Sequence, residues 1–220
     1  MMDVVEALHA RHSVRGFLPG AIPHEQLLAL FSAAQRAPSW CNIQPWRVWV
    51  SSGGTTTKLA QAMLAACIQD PYGAPAIAFP SHYPEPYGTE RRECAKALYT
   101  AMGVARGDKD ARDAAFQANY RAFGAPHIVM IAYDAHFGVY GALDVGCYLQ
   151  SLLLAAQSLG MATCAQAALS CYPGAVRSVL SIPESLTILC GVALGYEDTA
   201  VAANACRTTR SALELNVHFE

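Results

Sequence analysis

The stretch GALDVGCYLQSLLLAAQSL, residues 141–159, decides the reading of the fold. It has helical periodicity yet is apolar nearly all round, with Asp144, Gln150 and Gln157 as the polar exceptions. A helix without a polar face belongs in a core or between subunits. Its longest unbroken apolar run, Leu152–Ala156, is far short of the ~20 residues a spanning helix needs, so no membrane is expected. On its N-terminal side, Ile128–Tyr133 is a continuous apolar run led by Pro126, as in a strand buried on both faces. On its C-terminal side, Leu186–Gly195 reads as a second buried strand. Further upstream, Trp46, Val48 and Val50 alternate with Arg47 and Trp49, which suits a strand. Leu213, Leu215, Val217 and Phe219 alternate with Glu214, Asn216 and His218 and predict a strand at the C-terminus. Such a tail frays unless it docks on something.

The remaining elements are helical. Asp3 and Glu6 form a capping pair that opens a short helix through Leu8. Pro23 starts a second helix with Leu27, Leu28, Phe31 and Ala34 on one face, ending before Pro38. The Ser51–Gly54 turn leads into a third near Thr56, and two more are expected around 89–105 and 109–122. Residues 71–90 hold five prolines, two glycines and four tyrosines or histidines, a composition that fits a lid or an Ω-loop rather than a regular element. No internal repeat or linker interrupts the chain. One domain of mixed α and β over 1–220 is the expectation.

Composition narrows the function. The chain is 53% hydrophobic and only 15% charged, an apolar surplus that points to surface covered by another subunit. A formal charge of −2 gives no general attraction to nucleic acid or anionic lipid. There is no apolar signal segment at the start, and none of the eight cysteines has C-x-x-C spacing, so a cytoplasmic protein with reduced thiols is expected. G-x-G-x-x-G, G-x-S-x-G and the G-x-x-x-x-G-K-[ST] loop are all absent. His9 and His12 lack a third ligand, so no metal site is expected.

Three polar clusters remain. Arg11-His12-Ser13-Val14-Arg15 offers two forked cations and a hydroxyl, a donor set suited to a phosphate dianion, although a solvated basic turn has the same composition. Pro38-Ser39-Trp40-Cys41-Asn42-Ile43-Gln44-Pro45-Trp46 sets amides and a hydroxyl among two tryptophans and two prolines, suited to the polar edge of a heterocycle, although an ordinary loop after a helix has the same composition. Arg207-Thr208-Thr209-Arg210 adds cations distant in sequence from the first cluster.

Taken together and in order, these segments resemble the nitroreductase family of FMN enzymes. The resemblance rests on RHSVRGF at 11–17, APSWCNIQPW at 37–46, GAPHI at 124–128 and DVGCYLQSLLLAA at 144–156. GMATCAQAAL at 160–169, CGVALGY at 190–196 and NACRTTR at 204–210 complete it, so that it spans nearly the whole chain. It implies an α+β fold, an α/β/α sandwich with a mixed central sheet flanked by helices, built as an intertwined homodimer that exchanges its C-terminal strand. It also implies FMN held by Arg11, Ser13 and Arg15 with Arg207 and Arg210, and by Ser39, Trp40 and Asn42 from the partner. His12, Pro38 and Gln44 complete these two groups, and Ala165, Gln166 and Ala167 lie along the isoalloxazine. Family members carry proline where this chain has Ala165. The implied reaction passes hydride from NADH or NADPH through flavin N5 to a nitroaromatic or quinone-like acceptor by a ping-pong route. Trp40, His82, Tyr83 and Tyr87 would meet this small aromatic acceptor. Enone reduction, dehalogenation and non-catalytic FMN binding remain alternatives on the same fold.

Overall fold

The structure, a computed structural model, describes residues 2–220. Its centre is a four-stranded sheet in the order β1-β2-β4-β3, with β1 at Trp46–Ser52, β2 at His127–Asp134, β3 at Ala162–Gln166 and β4 at Leu186–Gly195. All three strand pairs are antiparallel. The mixed character expected of the sheet is confined, among the described residues, to one parallel bridge between Ser13 and Thr163. β2 is buried from His127 to Tyr133, as the unbroken apolar run Ile128–Tyr133 requires. Successive side chains point to opposite faces. Ile128, Met130 and Ala132 therefore enter one core and Val129, Ile131 and Tyr133 the other.

Each face is covered by helices, so the α/β/α layering is present. One layer is α3 (Gly54–Gln69) with α7 (Pro173–Leu180), whose Leu59, Met63 and Val176 pack on the first core. The other is α2 (His24–Ala34) with α6 (Gly138–Ser158), contributing Leu27, Leu30, Val145, Tyr148 and Leu152. α1 (Val4–Ala10) begins with the expected capping box, in which Asp3 and Glu6 each accept the other's backbone N–H. α4 (Tyr87–Ala101) and α5 (Lys109–Ala118) form an excursion between α3 and β2, and the irregular stretch before α4 ends at Pro86. β3 and α7 are not foreshadowed by the sequence pattern. β3 is short and lacks the alternation of a half-buried strand, and α7 is only eight residues long.

Two expectations change. The deciding helix is longer than its apolar stretch, and it is not enclosed in the single chain. Gly141, Asp144, Val145, Tyr148 and Leu152 face the core, while Val139 and Leu143 are 75% and 61% exposed. By length and hydropathy the span 135–158 could cross a membrane, but one side of it packs into the core against the sheet. The C-terminal alternation does not form a strand within the chain. Leu213–Leu215 is a 3-10 turn and all of 211–220 is exposed. Alternation makes a strand only where an edge accepts its backbone groups, and this tail docks on none.

One buried polar group links fold to pH. His127 is 1% exposed; its Nε2 accepts the Ile22 N–H at 2.9 Å, so Nδ1 carries the proton and donates to Ser52 Oγ at 2.7 Å. Burial holds its pKa below the ordinary 6.5, because the charged imidazolium would lose its solvent there. The unfolded chain therefore takes up this proton first, and stability is complete above pH 6.5 and declines as pH falls below it. Urea midpoints measured from pH 8 to pH 5 should fall more steeply for the natural protein than for His127→Gln.

Candidate functional site

The N-terminal arm, residues 11–17, lies along the outer edge of β3. The Val14 N–H donates to the Thr163 carbonyl at 3.0 Å, and Ser13 pairs with Thr163. Phe17 bridges to Glu197, and the Asp198 N–H donates to the Gly16 carbonyl at 3.0 Å. The arm is thus a short, irregular extra strand whose apolar Val14 and Phe17 are buried. Its polar residues are left at the surface of the strand edge.

Those polar residues line a cavity of about 340 Å³. Arg11, His12, Ser13 and Arg15 form one side, and Arg207 and Arg210 come in from the C-terminal segment. The two basic clusters, distant in sequence, are brought together. Cys94 and Leu98 close the cavity from α4, and no carboxylate lines it. None of the four arginines has a carboxylate partner among the described residues. Instead three of the guanidinium groups lean on neutral oxygens. Arg15 Nη1 donates to the Ser13 carbonyl at 3.3 Å, Arg207 Nη1 to the Asn204 carbonyl at 2.6 Å, and Arg210 Nη1 to Thr208 Oγ1 at 3.0 Å. Four uncompensated cations around one hollow repel one another, and a dianion relieves that repulsion. His12 is turned partly away. Its Nε2 meets Glu197 Oε1 and its Nδ1 meets the Ala10 carbonyl, each at 3.1 Å, so it braces the arm.

Ala165 and Ala167 emerge exposed at the end of β3, two and four residues beyond the Ser13 partner. Gln166 between them is buried, and its Nε2 donates to the Asn119 carbonyl at 3.0 Å. Its Oε1 has no partner. Burial pushes the Cys164 thiol above its ordinary pKa against the pull of Arg15, Ser13 and Arg11, so the thiol beside the arginines stays neutral.

The second cluster lies elsewhere on the chain. Pro38, Trp40 and Asn42 are exposed, and Ser39 and Gln44 half-buried; none lines the arginine cavity. The loop is tightly wound, with Cys41, Asn42 and Gln44 at φ 46°, 57° and 47°. Ser39 Oγ accepts the Gln44 N–H at 3.0 Å, and Gln44 Nε2 donates to Asn42 Oδ1 at 3.1 Å. Asp144 of α6 holds the loop by accepting the Trp40 N–H at 3.1 Å through Oδ1, while its buried Oδ2 has no partner. The Trp40 ring stands edge-on to Tyr140 at 4.7 Å.

His82, Tyr83 and Tyr87 are exposed and do not line the arginine cavity. The Arg91 guanidinium lies 4.9 Å over the Tyr83 ring. α4 reaches the cavity through Cys94 and Leu98 instead, residues one helical turn apart that the sequence did not single out. Thr208, from the third cluster, and Cys206 are further wall residues. The cation set alone predicts that inorganic phosphate raises the melting temperature. That gain should shrink in Arg11→Ala and Arg207→Ala, as read by thermal shift at fixed ionic strength.

Residues 8–196 match the Nitroreductase family. The chain is 34% identical to a 4-nitrobenzoate reductase of Nocardioides sp. (strain LMS-CY), an alignment covering 99% of this chain and 92% of that one. It is 30% identical to a 4-nitrobenzoate reductase of Pseudomonas putida, covering 99% and 95%. The FMN-dependent nitroreductase NfnB from Mycobacterium smegmatis, solved in complex with NADPH, superposes with a TM-score of 0.93 at 32% identity, covering 99% of this chain and 100% of the other. With its layered sheet, its edge-strand arm and a family match across most of its length, the chain belongs to the nitroreductase family.

Proposed function

We propose that the protein is an FMN-dependent oxidoreductase that takes hydride from NADPH or NADH and delivers it to a nitroaromatic or quinone-like acceptor in two alternating half-reactions. One observation carries this reading: Arg11, Ser13, Arg15, Arg207 and Arg210 converge on a cavity without a carboxylate. The names of its relatives supply the chemistry. A nitroreductase 32% identical to it is FMN-dependent and was solved with NADPH, and two relatives at 34% and 30% are 4-nitrobenzoate reductases.

The residues present fit the flavin. The arginines and Ser13 match a phosphate, and the small, exposed Ala165 and Ala167 leave room beside Gln166 for a flat ring to approach the strand end. When bound, FMN supplies the hydride relay between nicotinamide and acceptor. The chain's task is then to bind, orient and exclude. His12 braces the arm that carries Arg11 and Arg15. Pro38, Ser39, Trp40, Asn42 and Gln44 belong, in this reading, to the flavin site of a partner subunit, which is why their own chain's arginine cavity lacks them. Trp40, His82, Tyr83 and Tyr87 present aromatic and imidazole surface to a small aromatic acceptor. No acid–base pair of side chains is required, because FMN would carry the redox step and solvent would supply the further proton that nitro reduction consumes.

The partner is a second copy of this chain. The outward stripe of α6, with Val139 and Leu143, and the exposed Leu213, Leu215, Val217 and Phe219 of the tail are large apolar surfaces that a monomer does not leave in water. We place residues 1–220 in one FMN-binding domain of a cytoplasmic homodimer that exchanges its C-terminal segments.

Anaerobic titration tests the chemistry. The purified protein should be yellow, bleach with NADPH or NADH, and regain its colour on adding 4-nitrobenzoate. Failure to bleach with either nucleotide would sink the proposal. Arg11→Ala and Arg210→Ala should each weaken FMN binding by about ten- to a hundredfold, the loss of one charge-assisted hydrogen bond at roughly 1.5–3 kcal/mol. Light scattering after size exclusion should give a dimer, and Leu143→Glu should shift it toward monomer with loss of retained flavin.

A further inference from the structure

Asn204 sits behind the arginine cavity and is 3% exposed. Its Oδ1 accepts the Arg15 backbone N–H at 2.6 Å. Its Nδ2 donates to the Gly16 and Asp198 carbonyls, both at 2.9 Å. Its own main-chain carbonyl accepts from Arg207 Nη1 at 2.6 Å. One residue therefore ties together the N-terminal arm, the turn after β4 and the C-terminal segment. Each hydrogen of the Nδ2 amide has a partner and the carbonyl oxygen is used, so the group is held in a single orientation.

We propose that Asn204 is the positioning residue of the phosphate site. Through its side chain it fixes the backbone from which Arg15 projects, and through its carbonyl it fixes the Arg207 guanidinium. It thereby sets the spacing between cations that come from opposite ends of the chain. The proposal rests on the reading that these arginines hold the FMN phosphate. Asn204 does not line the cavity; it acts through two residues that do.

The chemistry favours an amide at this position. The three backbone groups it meets are one donor and two acceptors, which a carboxylate cannot satisfy and a hydroxyl satisfies only in part. A carboxylate would face the Gly16 and Asp198 carbonyls with no proton to offer. Arginine side chains carry large rotamer entropy, and grip on a phosphate strengthens when their geometry is settled beforehand. Asn204 supplies that settlement at the junction of two segments whose arginines have no carboxylate partner among the described residues.

The test compares FMN with riboflavin, which lacks only the phosphate. Dissociation constants for both come from quenching of flavin fluorescence on the natural protein and its variants. The natural protein should prefer FMN strongly; no preference would overturn the phosphate-site reading itself, independently of Asn204. Asn204→Ala and Asn204→Asp should reduce the preference for FMN over riboflavin by about ten- to a hundredfold, the range seen when the outer hydrogen bonds of an ordered ligand site are lost. Riboflavin affinity should stay unchanged. In an Arg15→Ala, Arg207→Ala background, Asn204→Ala should cause little further loss of preference, because the groups it positions are gone. Asn204→Ser, which keeps one hydroxyl, carries the same test if Asn204→Ala does not fold. The proposal is overturned if a folded Asn204 variant keeps the full preference, or weakens FMN and riboflavin by the same factor.

Discussion

The hydrogen bond from the Val14 N–H to the Thr163 carbonyl is the contact on which the site depends. β3 is the last strand of the sheet, and its outer edge would otherwise present unpaired backbone groups. Covering that edge with residues 11–17 solves a folding problem and, in the same step, places Ser13 and two arginines beside the end of β3. Val14 and Phe17 anchor the arm by burial, while the intervening polar side chains are left to face the cavity. Satisfaction of the sheet edge and construction of the anion cavity are one event.

The electrostatics of that cavity are unusual for a surface. Arginines in folded proteins commonly meet carboxylates, yet here Arg15, Arg207 and Arg210 lean on carbonyl and hydroxyl oxygens. Neutral acceptors orient a guanidinium without cancelling its charge. The positive field is therefore available to a ligand rather than spent within the protein. Glu197 is engaged by His12, so it steadies the arm without entering the cavity.

The apolar surplus of the composition finds its location in α6 and the C-terminal tail. One side of α6 packs on the sheet, and the other leaves Val139 and Leu143 in the open. The same helix holds the 39–44 loop through Asp144. In the proposed dimer, a subunit contact along α6 would be mechanically linked to the placement of Trp40, since the orientation of one helix sets both.

How much of this was legible beforehand follows from the range of the forces involved. β2 and β4 could be read because continuous apolar runs have few alternatives, and α1 because a capping pair acts over three residues. β3 escaped because five residues of Ala, Thr, Cys and Gln have weak preference of their own and become a strand only by pairing with β4. The C-terminal alternation was legible as a pattern, but an alternating segment is a strand only against an edge, and its own chain offers it none. Sequence by itself determined the donor chemistry: the two arginine clusters, the amide-rich loop and the apolar helix follow from residue type and spacing. Only the tertiary structure decided that Arg11 and Arg210 share a cavity, that Trp40 does not, and that Asn204 joins the two ends of the chain. These are relations between residues nearly two hundred positions apart, and no local preference encodes a distance of that kind; it is set by which edges and faces must be covered for the sheet to be stable.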